Sequence, residues 1–468
     1  MLFNEMLNNG SIRKPYKKID KWIQSFKDNS YEKKHQEAQR IFKRIGITFS
    51  VYEKKSPEER MIPFDMIPRV FTANEWKVIE SGVKQRTKAL NLFLHDIYNG
   101  ANIIKEKIIP AELVYKSRAF ESSMVGFSPP KKIFSHISGI DIVRTSLNKF
   151  VVLEDNCRTP SGVSYMMQNR EIMMTMFPDL FNDNIIEPID DYPLSLRKML
   201  SSIAPQNCDK EPIIVVLTPG SYNSAYYEHS FLADLMGVEL VEGEDLFTEK
   251  DKVYMRTVRG PQKIDVIYRR IDDPYLDPLC FDQDSLIGVP GIMNAYKNGN
   301  VTICSAPGSG IADDKAIYSY VPDIIKFYLS EKPILENVKT WNCSREKDLK
   351  YVLQNIKDLV VKEVHGSGGV GMLIGPKATK NQIKNFAKKI RNNPEKYIAQ
   401  PTLDLSTCPT YTSNGLAPRH VDLRPFCLMG RQVDVVKGAL TRVALKENSL
   451  VVNSSQGGGV KDTWVLRK

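Results

Sequence analysis

The sequence predicts a β-hairpin in which two acidic side chains face each other, and this pairing limits the folds and sites that the chain can form. The segment 139–156 (GIDIVRTSLNKFVVLEDN) reads as two strands around a turn at 147–148. A hairpin centred on that turn pairs Asp141 with Glu154 and places Asn156 on the same face, because side chains alternate between faces along a strand. Directly opposed carboxylates destabilise a bare sheet, so a positive charge is expected between them.

Magnesium is the cation that this set of side chains favours. Two carboxylates and an amide oxygen are hard oxygen ligands, and Mg²⁺ usually keeps several waters and takes further ligands from substrate phosphates. The alternative is a salt-bridged sheet surface on which Arg144 or Lys149 neutralises the acids. A Gly/Pro turn, CRTPSG at 157–162, follows the second strand. This combination favours a metal site with Asp141, Glu154 and Asn156 as its ligands.

A glycine-rich loop follows an apolar strand that ends at Lys362. Glycines at 366–371 let the backbone approach phosphates closely and present amide N–H groups, and a lysine at the strand end supplies positive charge. The candidate phosphate contacts are Gly366, Ser367, Gly368 and Gly369. The lysine precedes the loop and no GK[ST] occurs, so this is not the Walker pattern. A flexible loop without a ligand is the alternative.

A second lysine, Lys315, stands where a cation is unfavourable unless it meets an anion. Asp313 or Asp314 can cap the helix that follows, which leaves Lys315 in the first turn of that helix. A bound phosphate would account for this position. The alternative is an ordinary solvated lysine.

The stretch 421–445 alternates like paired strands and carries Asp422, Arg424 and Arg442. An arginine that faces a nucleotide stabilises the charge on a transferring phosphoryl group. Both arginines are therefore candidate catalytic residues, although arginines on strands are otherwise often surface residues.

Taken together, these elements resemble the ATP-grasp superfamily. In its unpermuted order that fold presents a lysine, a second lysine with a Gly-rich loop, an adenine-binding hinge, a D-x-R strand, a later arginine and an acidic E-x-N-x-x-P-G metal segment. Most of these elements occur here in the same order: Lys315, Lys362, a hinge at YIAQP that contains Gln400, Asp422-x-Arg424 and Arg442. The metal segment comes first instead of last.

This order resembles a circular permutation, similar in kind to that of eukaryotic glutathione synthetases. The chain is similar to the bacterial circularly permuted ATP-grasp family from about Gly139 to the C-terminus, and YRRIDDPYLDP, APGSGIADDK and NSSQGGGVKDTWVL add to the likeness. One departure is P-S-G in place of P-G after Asn156, which leaves the geometry on the substrate side open.

The expected fold is α/β of the α+β kind, a circularly permuted ATP-grasp fold in four parts. A mainly helical N-terminal region covers 1–130, with apolar periodicity over 76–97 and a stop at Gly100. The metal segment covers 131–204. A Rossmann-like substrate domain covers 205–304, where a strand at 213–217, a helix and a second strand form half of such a unit. The nucleotide-binding subdomains cover 305–468.

The resemblance implies an ATP- and Mg²⁺-dependent carboxylate–amine ligase. ATP would phosphorylate a carboxylate, and an amine would attack the resulting acyl phosphate. Lys315 and Lys362 would hold the phosphates, and Arg442 would stabilise the transferring group. From loop chemistry, the candidate substrate-binding residues are Ser161, Asn223 and Arg270, which serve equally well as structural residues of their loops.

Three other functions remain open at this point. They are a phosphotransferase that stops at a phosphorylated product, a nucleotide-binding partner subunit without its own chemistry, and an interaction module that acts through the basic N-terminal helices. An amine requirement for ADP release would separate a ligase from a kinase.

Composition narrows the partners and the compartment. The net charge is +10, but Lys and Arg are mixed with acids along the chain, so we expect no nucleic-acid partner. No apolar stretch approaches the roughly 20 residues that span a bilayer, and no secretion signal begins the sequence. The seven cysteines form no CxxC pair. We expect a cytoplasmic protein whose substrates are a small-molecule or peptide carboxylate and an amine, with the oligomeric state open.

Overall fold

The protein is represented by a computed structural model, which describes residues 3–26, 30–45, 48–51, 58–183, 185–366, 371–412, 415–447, 449, 451–452 and 457–468. The strands are β1 (Leu7–Asn8), β2 (Ser11–Ile12), β3 (Thr48–Val51), β4 (Glu58–Met61), β5 (Phe64–Phe71), β6 (Ile137–Ser146), β7 (Lys149–Asn156), β8 (Ile214–Leu217), β9 (Glu239–Val241), β10 (Leu246–Glu249), β11 (Lys252–Met255), β12 (Gln262–Lys263), β13 (Val266–Arg269), β14 (Thr302–Cys304), β15 (Glu336–Asn337), β16 (Trp341–Asn342), β17 (Leu359–Glu363), β18 (Leu373–Ile374), β19 (Tyr397–Pro401), β20 (Thr407–Thr412), β21 (Gly415–Met429), β22 (Val433–Val443) and β23 (Gly459–Val465). The α-helices are α1 (Lys17–Ser25), α2 (Ser30–Ile45), α3 (Ala73–Asn99), α4 (Asn102–Lys105), α5 (Ala111–Tyr115), α6 (Val163–Met176), α7 (Pro178–Asp183), α8 (Tyr192–Ser202), α9 (Tyr226–Met236), α10 (Asp273–Leu276), α11 (Ile292–Lys297), α12 (Lys315–Tyr318), α13 (Val321–Leu329), α14 (Glu346–Asn355) and α15 (Lys380–Asn392).

The largest sheet joins parts of the chain that are distant in sequence. Its strand order is β15-β7-β6-β21-β22-β23-β5, and β20 pairs with β21. The hairpin of β6 and β7 therefore lies beside β21, although the paired residues, from Ile142 with Leu423 to Ile137 with Leu428, are 281 to 291 positions apart in sequence. This arrangement places the acidic hairpin next to β21 and β22, the strands that carry Arg424 and Arg442.

Two helices cover opposite faces of that sheet. On one face α6 lies among apolar side chains that include Phe426 and Trp464. On the other face α3 buries Trp76 and Val83 against residues such as Leu423. Because side chains alternate along a strand, each face of the sheet acquires its own apolar layer.

Helix α3 shows how local sequence fixes one of these covers. Thr72 and Glu75 form a capping box at its start, and the helix ends at Gly100. The predicted helix over 76–97 and its stop are confirmed. The N-terminal region is not helical throughout, because β5 in this region pairs in parallel with β23 and belongs to the large sheet.

A second, parallel sheet of four strands lies in the segment predicted to be Rossmann-like. Its order is β14-β13-β8-β9, with α9 between β8 and β9 in the sequence. The predicted strand, helix and strand of this half-unit are confirmed. Ligands of such sheets bind beyond the carboxyl ends of the strands, which here lead into the loops that begin at Thr218, Arg270 and Ser305.

A small α/β unit carries Lys362. Strands β16, β19, β17 and β18 form an antiparallel sheet, and α14 and α15 cover it with a separate apolar cluster that includes Val352 and Ile390. Lys362 lies on β17, beside Ile398 of β19 in the register. No helix within the described part of the chain is both long and apolar enough to cross a lipid bilayer.

Candidate active site

The predicted register of the acidic hairpin is confirmed. Asp141 pairs with Glu154 and Gly139 pairs with Asn156, with bulges between Asp141 and the turn. The amide of Asn156 donates to the main-chain oxygen of Gly139 at 3.1 Å. This hydrogen bond uses the nitrogen of the amide and leaves its oxygen available as a ligand.

Asp141 is held by the two candidate arginines. Arg424 donates to both carboxylate oxygens, from Nε at 2.6 Å and from Nη2 at 2.8 Å, and Arg442 donates from Nη2 at 2.7 Å. Burial opposes ionisation, but the two guanidinium groups outweigh it and lower the pKa of Asp141 to about 2. Arg144 and Lys149, the alternative neutralising residues, instead contact Glu75 and Glu336 respectively.

Arg442 is fixed from a second side by Asp422. The Nε atom of Arg442 lies 2.9 Å and 3.1 Å from the two carboxylate oxygens of Asp422, its register partner on β21. Both arginines predicted as catalytic thus converge on one buried acidic cluster. That cluster sets the direction in which each guanidinium points.

Lys315 bridges the hairpin and the glycine-rich loop. Its Nζ donates to the main-chain oxygen of Gly366 at 2.6 Å and lies 3.7 Å from Oε2 of Glu154. Asp314 caps the helix in the predicted way, because its side chain accepts from the N–H of Ala316. The lysine in the first turn therefore meets a carboxylate and a loop carbonyl in this structure.

Lys362 and Gln400, which were predicted to contact the nucleotide, contact each other. The Nζ of Lys362 donates to Oε1 of Gln400 at 2.8 Å, and the amide of Gln400 donates to Thr340 at 3.0 Å. Burial lowers the pKa of Lys362 to about 8, while Glu154 raises it and Lys315 lowers it further. The remaining predicted loop contacts, Ser367, Gly368 and Gly369, lie outside the described residues.

A cavity of about 300 Å³ collects several of these residues. Its lining consists of Arg118, Ala119, Glu121, Glu154, Asp155, Asn156, Arg158, Asp273, Pro274, Gly310, Asp313, Asp314, Lys315, Val364, His365 and Gly366. Glu154 and Asn156 of the acidic hairpin therefore line the same cavity as Lys315 and Gly366, where the glycine-rich loop begins. Such convergence of polar groups in a concave pocket is typical of a ligand site.

Several charged residues of this cavity are not candidate ligand-binding residues in the sequence. Among them, Asp313 is predicted only as a possible helix cap, Arg158 lies inside the CRTPSG motif, and Glu121 lies in no motif. Burial is the largest cause that raises the pKa of Asp313 to about 7, and burial followed by the charge of Asp273 raises the pKa of Glu121 to about 7.

Two of the three candidate substrate residues meet in a partly buried hydrogen bond. Arg270 donates from Nη2 to the hydroxyl of Ser161 at 2.6 Å and from Nη1 to the main-chain oxygen of Pro160 at 3.2 Å, and it pairs with Glu228 at 3.3 Å. Asn223 instead accepts from the N–H of Ala225 within its own loop. Arg270 thus joins the Rossmann-like sheet to the turn that follows the acidic hairpin.

The site fits Mg²⁺ through part of the predicted set. Glu154 and Asn156 line the cavity, whereas both oxygens of Asp141 already accept from arginines. In the part of the chain that the structure describes, no three His, Cys, Asp or Glu side chains form a metal cluster. One carboxylate and one amide, completed by waters and substrate phosphates, match the way Mg²⁺ is commonly held at nucleotide sites.

The fold and this arrangement define a protein of the ATP-grasp ligase class. The sequence model described as "Circularly permuted ATP-grasp type 2" matches residues 68–444, and the chain belongs to that family. A glutathione synthetase-like effector, GSS30, from Globodera pallida has the same overall fold, with a TM-score of 0.61, 11% identity, and coverage of 94% of this chain and 98% of that one.

Similar sequences come from several bacteria. An uncharacterised Synechocystis protein is 49% identical over 447 residues, which cover 95% of this chain and 93% of that protein. An uncharacterised Mycobacterium bovis protein is 48% identical over 468 residues, or 100% of this chain and 84% of that protein. A Frankia casuarinae protein provisionally named glutamate–cysteine ligase 2-2 is 40% identical over 413 residues, 87% of this chain and 47% of that protein.

Proposed function

We propose that this protein is an ATP- and Mg²⁺-dependent carboxylate–amine ligase that acts through an acyl phosphate and releases ADP and phosphate. The observation that carries the proposal is the position of Lys315. Its ammonium group contacts both Gly366, where the glycine-rich loop begins, and Glu154 of the acidic hairpin, inside one cavity. A phosphate that reached this point would meet a lysine, a loop backbone and a metal-binding carboxylate together.

Each part of the site has a task in the proposed reaction. Lys315 and Lys362 would hold the phosphates of ATP, and Gln400 would stand at the adenine hinge. Arg424 and Arg442 would stabilise the charge on the transferring phosphoryl group, held in direction by Asp141. Magnesium bound at Glu154 and Asn156 would neutralise phosphate oxygens. Positioning and electrostatics would supply most of the rate, as is usual for phosphoryl transfer.

The cavity supports a small, charged substrate. A volume of about 300 Å³ lies at the lower end of the range for ligand pockets, and the walls carry arginines as well as acids. The Nη1 atom of Arg158 lies 3.4 Å from Oδ1 of Asp272, and its Nε atom lies 4.0 Å from Oδ2 of Asp313. These long contacts leave N–H groups of the guanidinium for a substrate carboxylate. An amino acid or a short peptide has the size and charge that such walls accommodate.

The names of two relatives support a ligase without identifying its substrates. Proteins of Frankia casuarinae and Frankia alni are provisionally named glutamate–cysteine ligases, and this chain spans 47% and 53% of their lengths. Glutamate and cysteine therefore belong in the first panel of substrates, beside other amino acids and short peptides.

Calorimetric titration with ATP, in the presence and absence of Mg²⁺, tests the nucleotide site. Wild-type protein should bind ATP with Mg²⁺, and Glu154→Gln should lose that dependence. Glu336→Gln, at an exposed acid paired with Lys149, is the matched control and should behave like wild type. If neither wild type nor control binds ATP, the proposed function is wrong.

ADP release then separates a ligase from the alternatives. A carboxylate and an amine together should stimulate ADP release, with an amide as the product. ADP release with a carboxylate alone and a stable phosphorylated product would instead establish a phosphotransferase. ATP binding with no turnover in any mixture would favour a nucleotide-binding subunit without its own chemistry.

A further inference from the structure

A loop beside the cavity, residues 275–289, displays large apolar side chains to solvent. Of the 18 large hydrophobic side chains that the described residues leave exposed, four lie in this loop: Tyr275, Leu279, Leu286 and Ile287. Leu286 is 94% exposed and Leu279 is 79% exposed. Single exposed apolar side chains are ordinary on a protein surface, whereas several in one short stretch indicate an interaction site.

Hydrogen bonds hold the backbone of this apolar loop in place. The N–H of Val289 donates to the main-chain oxygen of Leu276 at 2.9 Å and closes the loop at its base, where both side chains are fully buried. The buried carboxylate of Asp277 accepts from the N–H of Leu279 at 2.9 Å and from the N–H of Met293 at 3.0 Å. Compact loops with joined ends are frequently functional. The outer apolar side chains are therefore presented on an ordered backbone.

The base of the apolar loop belongs to the wall of the cavity. Asp273 and Pro274 line the cavity and directly precede the loop. The main-chain oxygen of Pro274 accepts from the N–H of Asp282 at 3.0 Å, and that of Tyr275 accepts from the hydroxyl of Ser285 at 2.8 Å. The apolar surface is thus continuous with the rim of the cavity, so a molecule longer than the cavity can extend onto it.

The charges around the loop differ from those of the remaining cavity wall. No lysine or arginine occurs within 271–296, whereas the exposed Asp282 and Asp284 lie in the loop. The arginines that line the cavity, Arg118 and Arg158, come from other segments. The cavity therefore offers arginines to a carboxylate substrate, while the loop offers acids and apolar groups to a cationic one.

We propose that the apolar loop binds the amine substrate, and that this substrate is a peptide with apolar side chains next to a free amine. The assignment rests on the proposed function, in which the amine attacks an acyl phosphate. The amine nitrogen bonds to the acyl carbon as the bond from that carbon to the phosphate oxygen breaks. The ammonium group of the peptide loses two protons in this step, one to phosphate and one to water.

The volume of the cavity favours a peptide over a free amino acid. At about 300 Å³ the cavity lies at the lower end of the range for ligand pockets and can enclose a free amino acid completely. Such a substrate would not reach Leu279 or Leu286. A peptide whose amine occupies the cavity places its next residues over the loop, which removes apolar surface of both partners from water.

Photocrosslinking locates a bound peptide without turnover. The probe is the amide of the tetrapeptide Ala-Leu-Leu-Gly, with a photoreactive diazirine in both leucine side chains, and its four residues span about 13 Å when extended. Trypsin releases residues 271–297 as one fragment, because no Lys or Arg lies between Arg270 and Lys297. This fragment should carry most of the crosslinked probe, and excess unlabelled peptide should compete with it. Crosslinks mainly on other fragments, or none at all, would overturn the proposal.

A double variant tests the two most exposed leucines of the loop. Leu279→Ser with Leu286→Ser changes only exposed side chains, so it should fold like wild type and crosslink about tenfold less. Ile185→Ser, at a side chain that is 66% exposed outside the loop, is the matched control and should crosslink like wild type. Equal crosslinking in the double variant and the control would contradict the proposal. A wild-type dimer that the double variant abolishes would assign the loop to a second copy of this chain and would overturn it as well.

ADP release under the conditions that activate wild type gives the catalytic arm. The amide of Ala-Leu-Leu-Gly should have a kcat/KM about tenfold above that of Ala-Ser-Ser-Gly, and its N-acetylated form should not stimulate ADP release. The double variant should remove this preference by raising the KM for the peptide, with the KM for ATP within about twofold of wild type. Equal use of both peptides by an enzyme that binds ATP would refute the peptide site alone. A wild type that binds no ATP would refute the proposed function, while crosslinking would still decide whether the loop binds peptides.

Discussion

The Nη2 atom of Arg442 lies 2.7 Å from Oδ2 of Asp141, and Arg424 holds the same carboxylate in a bidentate contact. Asp141 of the hairpin thus neutralises and orients the two arginines. Its register partner Glu154 is 27% exposed in its side chain and lines the cavity. Two carboxylates that face each other across one step of a sheet therefore have different tasks, and different variants should reveal them.

Asp141→Asn is expected to destabilise the fold strongly. The variant removes the charge that compensates two arginines at a buried site, and breaking such a pair costs about 3–5 kcal/mol. Chemical denaturation followed by fluorescence measures the free energy of unfolding. A variant as stable as wild type would show that Asp422 alone compensates both arginines.

Glu154→Gln is expected to lose less than about 1 kcal/mol of stability, because its contact with Lys315 is long and partly exposed to solvent. The same variant should lose the Mg²⁺ dependence of ATP binding. Retained Mg²⁺ dependence would exclude Glu154 as a metal ligand and would transfer that task to another residue of the cavity.

The affinity for ATP is expected to fall as the pH rises through about 8. The pKa of Lys362 in the free protein is lowered to about 8 by burial, and a bound phosphate favours the charged form. Above that pH, each further unit should cost about tenfold in affinity until the pKa of the complex is reached. Binding at pH 8.5 should also take up a proton, which calorimetry in buffers of different ionisation enthalpy detects.

Lys362→Arg is the matched control for that titration, because arginine stays charged across the whole range. Its affinity for ATP should be nearly independent of pH between 7 and about 9. A slope equal to that of wild type would assign the pH dependence to another group.

Local features of this site were predictable because short-range geometry determines them. The turn at 147–148 fixes which residues of the hairpin meet, so the pairing of Asp141 with Glu154 follows from counting. Asp314 caps the helix at Lys315 because a short acceptor before a helix satisfies its free N–H groups. The capped helix is short, since α12 ends at Tyr318 and a second helix, α13, begins at Val321.

Long-range contacts of the site were not predictable from spacing. Arg424 and Asp141 are 283 residues apart, and no local pattern states that one neutralises the other. The sequence predicts a positive charge between the two acids, with Arg144 or Lys149 as the alternative to a metal ion. In the structure Arg424 and Arg442 neutralise Asp141 instead. Glu121 reaches the cavity from a region without a recognisable motif, so only the tertiary fold reveals it.

Variants of Ser161 and Arg270 should show whether these side chains only stabilise the fold or also bind substrate. Ser161→Ala removes one partly buried hydrogen bond from a charged donor and should cost about 1–2 kcal/mol of stability. Arg270→Gln leaves Glu228 without its cation and should cost about 3–5 kcal/mol. If Ser161 only anchors its turn, Ser161→Ala should keep the KM of both substrates. A rise in one KM at unchanged stability would establish a substrate contact.

A fall in pH should destabilise the folded protein, in part because His136 is buried in its neutral form. This side chain is fully buried, and neither ring nitrogen has a hydrogen-bond partner among the described residues. Burial lowers the pKa of His136 to about 3. The folded state therefore keeps the ring neutral where the unfolded chain takes up a proton, so stability falls as the pH drops below about 6.5 and continues to fall towards 3.

The size of that effect follows from the gap between the two pKa values. At pH 5 the unfolded chain, with a histidine pKa near 6.5, gains about 2 kcal/mol over the folded state from this one group. His136→Leu should remove the contribution, so that the difference in unfolding free energy between variant and wild type shifts by about 2 kcal/mol between pH 7 and pH 5. His365→Gln, at a side chain that is 46% exposed, is the control. Parallel stability curves for wild type and His136→Leu would mean that His136 gains a proton without unfolding, through water that reaches the ring.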